Sequence, residues 1–219
     1  MAEKMDMLVH FTPSHKDLFN KLFKPSFDKY LKQEFNLIIT EGKQECTTAK
    51  YYEKGWFKSV KQKIRHVKAF MEAKETGTFV FSDVDIEFFA PIKDQLIKEL
   101  GDYNIAFQND MSSGLCSGFY ICKINPRTIM FFSKLLDEYN DKKGDQWNIN
   151  NRITHSDLRF KALSKKFYNI RLSSNNTWSP GIDINWPDDI ILMFHANWTE
   201  GIENKIELVT DYKKHIGQK

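Results

Sequence analysis

Apolar residues first gather at positions 7–11, in a short run that stops at Thr12-Pro13-Ser14. The run reads as a strand, and the Thr-Pro-Ser step as a turn that opens a helix. From 15 to 32 the apolar positions are Leu18, Leu22, Phe23, Phe27, Tyr30 and Leu31, which is helical spacing, with Pro25 expected to kink or split the helix. Residues 35–40 (FNLIIT) read as a second strand. A helix over 56–74 is carried by Trp56, Val60, Ile64, Val67 and Phe70 or Met71, and Gly77 stops it. Residues 78–82 (TFVFS) are apolar on both faces, as a central parallel strand must be. The pattern then gives a helix over 91–100, strands over 104–108 and 118–124, a helix from Asn125-Pro126 to Tyr139 and a short helix over 145–153. The last sixty or so positions read as short strands, at 167–171 and 190–194, with one helical turn over 210–215.

Strand and helix alternate through the first half, which predicts βαβ units and a mostly parallel sheet. In such sheets ligands sit at the carboxyl ends of the strands. Asp83 and Asp85 follow directly on the most strand-like run of the chain.

Composition adds a boundary. Hydrophobic residues make up 41% of the 219, with 18 Phe and 5 Trp, enough for one core built on large rings. The 32 basic and 29 acidic residues nearly balance, which argues against a nucleic-acid partner. The cluster Lys54, Lys58, Lys61, Lys63, Arg65 and Lys68 reads as a solvated helix face, a minority of which reaches a phosphate. Three unevenly spaced cysteines give neither a disulfide framework nor a zinc signature and point to a reducing, cytoplasmic setting. No apolar stretch has the length of a membrane span, and the N-terminus lacks the apolar core of a signal peptide. The sequons at Asn175 and Asn197 read as chance matches.

Four groups carry candidate chemistry. In an extended backbone Asp83 and Asp85 point to one side, and two ionised carboxylates that close call for a divalent cation, although Asp after a strand also caps turns. His195, with Gly201 and Lys205 behind it, offers a metal ligand, a close backbone approach and a phosphate counter-charge; a packed core histidine is the plain alternative. Asp145 or Gln146 shares a helix face with Asn150 and would line a polar pocket, while Asp145 also suits a helix start. Asp110 to Gly114 and Ser117-Gly118 are small and polar enough to admit a bulky ligand, or form only a loop before a strand.

The segments TGTFVFSDVDIEF, NDMSSGLCSGFYICKINPRT, GDQWNINNRI and FHANWTEGIENK, in that order across residues 76–205, resemble the nucleotide-diphospho-sugar transferases of the GT-A type. The small size is similar to the compact glycosyltransferase domains of large algal (chlorella-type) viruses. The resemblance implies an α/β GT-A fold: one Rossmann-like, mostly parallel central sheet flanked by helices, with a small mixed C-terminal part. It implies a single domain over 1–219, with a nucleotide-binding half to about 110 and a sugar and acceptor half beyond. It assigns Asp83 and Asp85 to Mn²⁺ or Mg²⁺ and the diphosphate, His195 to the metal shell, and Lys205 to the diphosphate. Thr12 falls in the nucleobase loop and Arg65 at a donor-facing helix position. Asp110, Ser117, Gly118 and Asn150 fall on the sugar and acceptor side, and Asp145-Gln146 beside the transferred sugar. The implied activity is transfer from a nucleotide-sugar, UDP-linked, to a glycan acceptor with retention. Two features depart from the family pattern: Ile86-Glu87-Phe88 after the aspartates and HANWTEG in the late motif.

Rival readings fare less well. A haloacid-dehalogenase-type phosphatase places its D-x-D on the first strand, followed by Thr. A nucleotidyltransferase shows a Gly-rich phosphate loop near the first strand. A non-catalytic carbohydrate-binding module would use the rings of Trp178, Trp186 and Trp198, but leaves the aspartate pair unexplained.

Overall fold

The computed structural model describes residues 3–46, 53–110, 114–170, 177–187 and 190–218. The expected sites at 111–113 and at Asn175 lie outside them. Strand β1 (Met5–Phe11) is followed by short helix α1 (Lys16–Leu18), a π-helical turn (Phe19–Phe23) and α2 (Lys24–Tyr30). β2 (Phe35–Glu41), α3 (Trp56–Lys74), β3 (Gly77–Ser82) and a three-residue β4 (Ile86–Phe88) come next. Then follow α4 (Lys93–Leu100), β5 (Ile105–Asn109), β6 (Leu115–Ile124), α5 (Pro126–Asp137), α6 (Asp145–Ile153), β7 (Phe160–Ala162), β8 (Phe167–Asn169), β9 (Met193–His195) and α7 (Ile202–His215).

The main sheet runs β2-β1-β3-β6-β5-β7. Five strands point one way and β6 opposes them, pairing antiparallel with both β3 and β5. The reversal follows from chain length: parallel neighbours need a crossover, and the few residues between β5 and β6 allow only a hairpin. The pleat sends alternate side chains to two cores. Leu8, Phe79, Phe81 and Tyr120 pack under α3, α5 and α6, while Met7, Val9, Val80 and Phe119 face the opposite core with Phe23, Leu96 and Leu208. The sheet is mostly parallel and flanked by helices, as expected, and the C-terminal strands β8 and β9 join β4 from the first half of the chain in a second sheet, β4-β9-β8.

Several boundaries depart from the pattern reading. Pro25 does not split its helix. It lies at the start of α2, just after the π turn, in which Lys24 N–H reaches back to the Phe19 carbonyl. The wider turn absorbs the mismatch that a residue without an N–H creates. The expected C-terminal turn is instead the end of the fourteen-residue α7, which buries Lys205, Leu208, Val209 and Tyr212 on one face. α7 is pinned across β4 by two ion pairs, Lys205–Asp85 at 2.6 Å and Lys213–Glu87 at 2.9 Å. β4 and β7 were not visible in the pattern, being only three residues long. The start of α5 matches its sequence signal: the Asn125 side chain accepts from the Arg127 and Thr128 amides, and Thr128 Oγ1 accepts from Asn125 N–H. Among the described residues no helix is long and apolar enough to cross a membrane. Cys46, Cys116 and Cys122 are free and buried.

Candidate functional site

A cavity of about 580 Å³ opens at the carboxyl edge of β1 and β3. The aspartates reach it from a bend rather than from extended chain, because here the backbone leaves the main sheet at Ser82 and joins the small one at Ile86. Both ends of the bend are fixed. Asp83 N–H donates to Gly118 O at 2.7 Å, and Asp85 O accepts from Ala196 N–H at 2.9 Å. The two carboxylates and His195, at the end of β9, offer ligand atoms within 4.8 Å of one another.

His195 is buried and oriented from behind. Its Nδ1 lies 2.7 Å from Gln108 Oε1, and Gln108 Nε2 donates to the carbonyls of Phe167 and Tyr168 at 3.2 and 3.0 Å. With the amide nitrogen so held, Gln108 presents its oxygen, and His195 Nδ1 must be the donor. Nε2 then carries its lone pair towards Asp85 Oδ1, 3.2 Å away. Two acceptors at that distance need a proton or a cation to join them. Gly118 completes the cradle: a Cβ there would stand 2.5 Å from His195 Cε1 and 2.6 Å from Asp83 Oδ2. Two carboxylates, one imidazole and a space shielded from side chains fit a divalent cation of the Mn²⁺ or Mg²⁺ kind.

Two ammonium groups balance the carboxylates. Lys205 Nζ binds Asp85 Oδ2 at 2.6 Å and the Ala196 carbonyl at 2.8 Å. Burial opposes the charge on Asp85, but the Lys205 ammonium holds its carboxyl well below the usual carboxylate range. Lys63 Nζ lies 2.9 Å from both Asp83 Oδ1 and Asp145 Oδ2. Burial disfavours its charge, yet the two carboxylates keep it protonated well above the ordinary lysine value. Burial raises Asp83, against the pull of Lys63 and with the push of Asp85.

The structure places most of the expected residues on this cavity: Thr12, Asp83, Asp85, Ser117, Gly118, Asp145, Gln146, Asn150, His195 and Lys205 all line it. Ser117 Oγ donates to Asp145 Oδ2 at 2.9 Å. Asp110 lies behind the wall, fully buried, accepting from Gln146 Nε2 at 2.7 Å, Trp198 Nε1 at 2.9 Å and Asn169 Nδ2 at 3.0 Å. It positions Gln146 and Trp198 rather than meeting a ligand itself. Trp198 holds a positive φ of 52°, an uncommon backbone state for a large side chain. Asn150 is committed to the backbone, bonding both the N–H and the carbonyl of Leu115, so its amide anchors α6 on β6. Arg65 is a correction: it is exposed and absent from the cavity wall, and Lys63 on the same helix enters instead. The helical phase explains this, since Ile64 and Val67 face the core and Arg65 faces away. Trp178 and Trp186 are packing residues, Trp178 buried and Trp186 set against Phe194 and Tyr212.

The sequence pattern does not single out Lys63, Gln108, His15 or Trp147 as residues of the cavity or its support. Lys63 carried a weak signal within the basic cluster. Gln108, an amide on an apolar strand, carried a stronger one, because a buried amide must be bonded.

The family model described as nucleotide-diphospho-sugar transferase matches residues 24–209. No curated protein matches the chain by sequence. Among solved structures, it superposes on a glycosyltransferase involved in the glycosylation of the major capsid of PBCV-1, with TM-score 0.66 and 11% identity over 95% of this chain and 100% of that one. The galactosyltransferase LgtC, solved with donor and acceptor sugar analogues, gives TM-score 0.54 and 13% identity over 96% of each chain. The glycosyltransferase GlyE of Streptococcus pneumoniae TIGR4 gives TM-score 0.57 and 11% identity over 100% of this chain and 65% of that one. At these identities the three show a shared fold.

Proposed function

The chain belongs to the nucleotide-diphospho-sugar transferase family, and on that premise we propose that it moves a sugar from a UDP-linked donor to a glycan acceptor, with retention and with a divalent cation, Mn²⁺ ahead of Mg²⁺. The observation that carries the reading is the cradle of Asp83, Asp85 and His195 with Lys205 at its side. An imidazole among the ligands favours Mn²⁺ over the harder Mg²⁺.

Asp83, Asp85 and His195 would hold the ion, which when bound supplies positive charge to the leaving diphosphate. Lys205 stands where a second positive charge meets that leaving group. Phe11, Thr12 and His15, on the same wall at the end of β1, seat the nucleobase. The bond from the sugar's C1 to the diphosphate oxygen breaks, with its electron pair going to that oxygen. A bond from the acceptor hydroxyl to C1 forms on the same face, and the hydroxyl passes its proton to the departing diphosphate oxygen beside it. The sugar passes through an oxocarbenium-like state. Asp145, 6% exposed and held by Ser117 and Lys63, is the carboxylate placed to stabilise that charge, with Gln146 beside it. Residues up to about 110 supply the nucleotide half and those beyond the sugar half, with the metal cradle straddling the two.

Calorimetric titration of UDP with and without Mn²⁺ tests the reading, on the wild type and on Asp83→Ala/Asp85→Ala. Mn²⁺-dependent UDP binding that the double variant loses is expected. Absence of UDP binding in either condition would overturn the UDP assignment.

A further inference from the structure

The two aspartates of the cradle are not equally open. Asp85 gives Oδ2 to Lys205 and turns Oδ1 towards His195 Nε2 at 3.2 Å, so one oxygen already faces the ligand cluster. Asp83 has both oxygens against a single ammonium: Lys63 Nζ is 2.9 Å from Oδ1 and 3.1 Å from Oδ2. The same nitrogen is 2.9 Å from Asp145 Oδ2. An ammonium has three N–H donors, and here they face three oxygens of two carboxylates. The Lys63 side chain is only 13% exposed, with Nζ 5.5 Å from the centre of the Phe81 ring.

Charge counting sharpens the point. Asp83, Asp85 and Asp145 against Lys63 and Lys205 leave one net negative charge, with His195 neutral as a ligand must be. A divalent cation turns that into one net positive charge inside a half-closed pocket, where an unbalanced charge is costly. The two negative charges of a sugar-bearing diphosphate bring the site back to the one net negative charge it has when empty. Without Lys63 the site would carry two negative charges, and the cation alone would neutralise it.

Building on the metal-dependent reading above, we propose that Lys63 is a positioning residue that closes Asp83 to the cation, so that cation and nucleotide diphosphate bind cooperatively, and that it stays on Asp145 once Asp83 is released. The residue is thus a latch between the cradle and the carboxylate beside the sugar.

The test is a Mn²⁺ titration followed by the paramagnetic resonance of the free ion, with and without saturating UDP, on the wild type, Lys63→Met and Lys63→Arg. For the wild type, UDP is expected to tighten Mn²⁺ by about tenfold or more. Lys63→Met should bind Mn²⁺ alone about tenfold tighter than the wild type does, and should lose most of the gain from UDP. Lys63→Arg, which keeps the charge, should behave as the wild type. If Lys63→Met does not fold, Lys63→Gln carries the same expectation with an N–H still between the carboxylates. Unchanged Mn²⁺ affinity in Lys63→Met with the UDP gain intact overturns the latch and leaves the donor site standing. A wild type that binds no Mn²⁺ even with UDP overturns both.

Discussion

Gln108 fixes which nitrogen of His195 faces Asp85. The imidazole Nδ1–H donates to Gln108 Oε1 at 2.7 Å, and Gln108 cannot turn over because its own Nε2 is bonded to two carbonyls of the small sheet. Gln108→Leu removes the acceptor while keeping the volume. Mn²⁺ affinity should fall by about 10–100-fold, the usual effect of losing an outer partner of a metal-bound histidine. A resonance titration beside a melting curve reads it, and unchanged affinity in a folded variant would remove Gln108 from the site.

Asp145→Asn keeps the shape and one acceptor for Ser117 but removes the charge nearest the proposed sugar position. Transfer should drop by about 10²-fold or more, as when a preorganised electrostatic contact is lost. Mn²⁺-dependent UDP binding should stay close to wild type. Parallel loss of binding and transfer would count against a role at the anomeric carbon.

Gly118 does not occupy the left-handed region, so the penalty for a side chain there is steric alone. In Gly118→Ala the new methyl would press on His195 and Asp83 at 2.5 and 2.6 Å. Overpacking costs about 1–3 kcal/mol of stability, while metal-dependent UDP binding should be lost. Calorimetry and thermal melts separate the two. Full UDP binding in the alanine variant would show that the cradle does not need the space.

The pH dependence of stability should carry the signature of His10. Burial, His66 2.7 Å away and Lys63 lower its pKa from 6.5 to about 3. The folded state therefore refuses a proton that the unfolded chain accepts, and stability is complete above pH 6.5 and falls as pH drops towards 3. Between pH 6.5 and 5 this histidine alone contributes a loss of about 2 kcal/mol. Denaturant midpoints of the wild type and His10→Gln across that range check it. The variant should show the shallower slope, and equal slopes would refute the assignment.

How legible was all this beforehand? The sheet and its edge were readable because Phe79 to Phe81 are apolar on both faces and the aspartates follow at once. The reversal of β6 was not, since strand direction depends on loop length, which the hydrophobic pattern does not encode. α7 was readable and missed: Ile202, Lys205, Leu208, Val209 and Tyr212 keep helical spacing, but the lysine broke the apolar series. It is buried because Asp85 and a carbonyl bind its head. Arg65 rests on the resemblance alone, which implies a basic donor-facing position on this helix; the phase set by Ile64 and Val67, itself legible in the sequence, turns Lys63 to the cavity instead. Asn150 lines the cavity as its spacing from Gln146 predicts, but the sequence does not reveal that the Leu115 backbone takes both ends of its amide.

The strap of α7 across β4 also sets an order of events in the making of the protein. Lys205 lies 120 residues downstream of Asp85. On the ribosome, the aspartate pair is therefore synthesised, and the first five strands can be laid down, long before the ammonium that answers Asp85 has been translated. A nascent chain halted before α7 carries the acidic bend without its neutralising partner. The mouth of the cavity is thus closed from the C-terminal side, as a late act of biosynthesis.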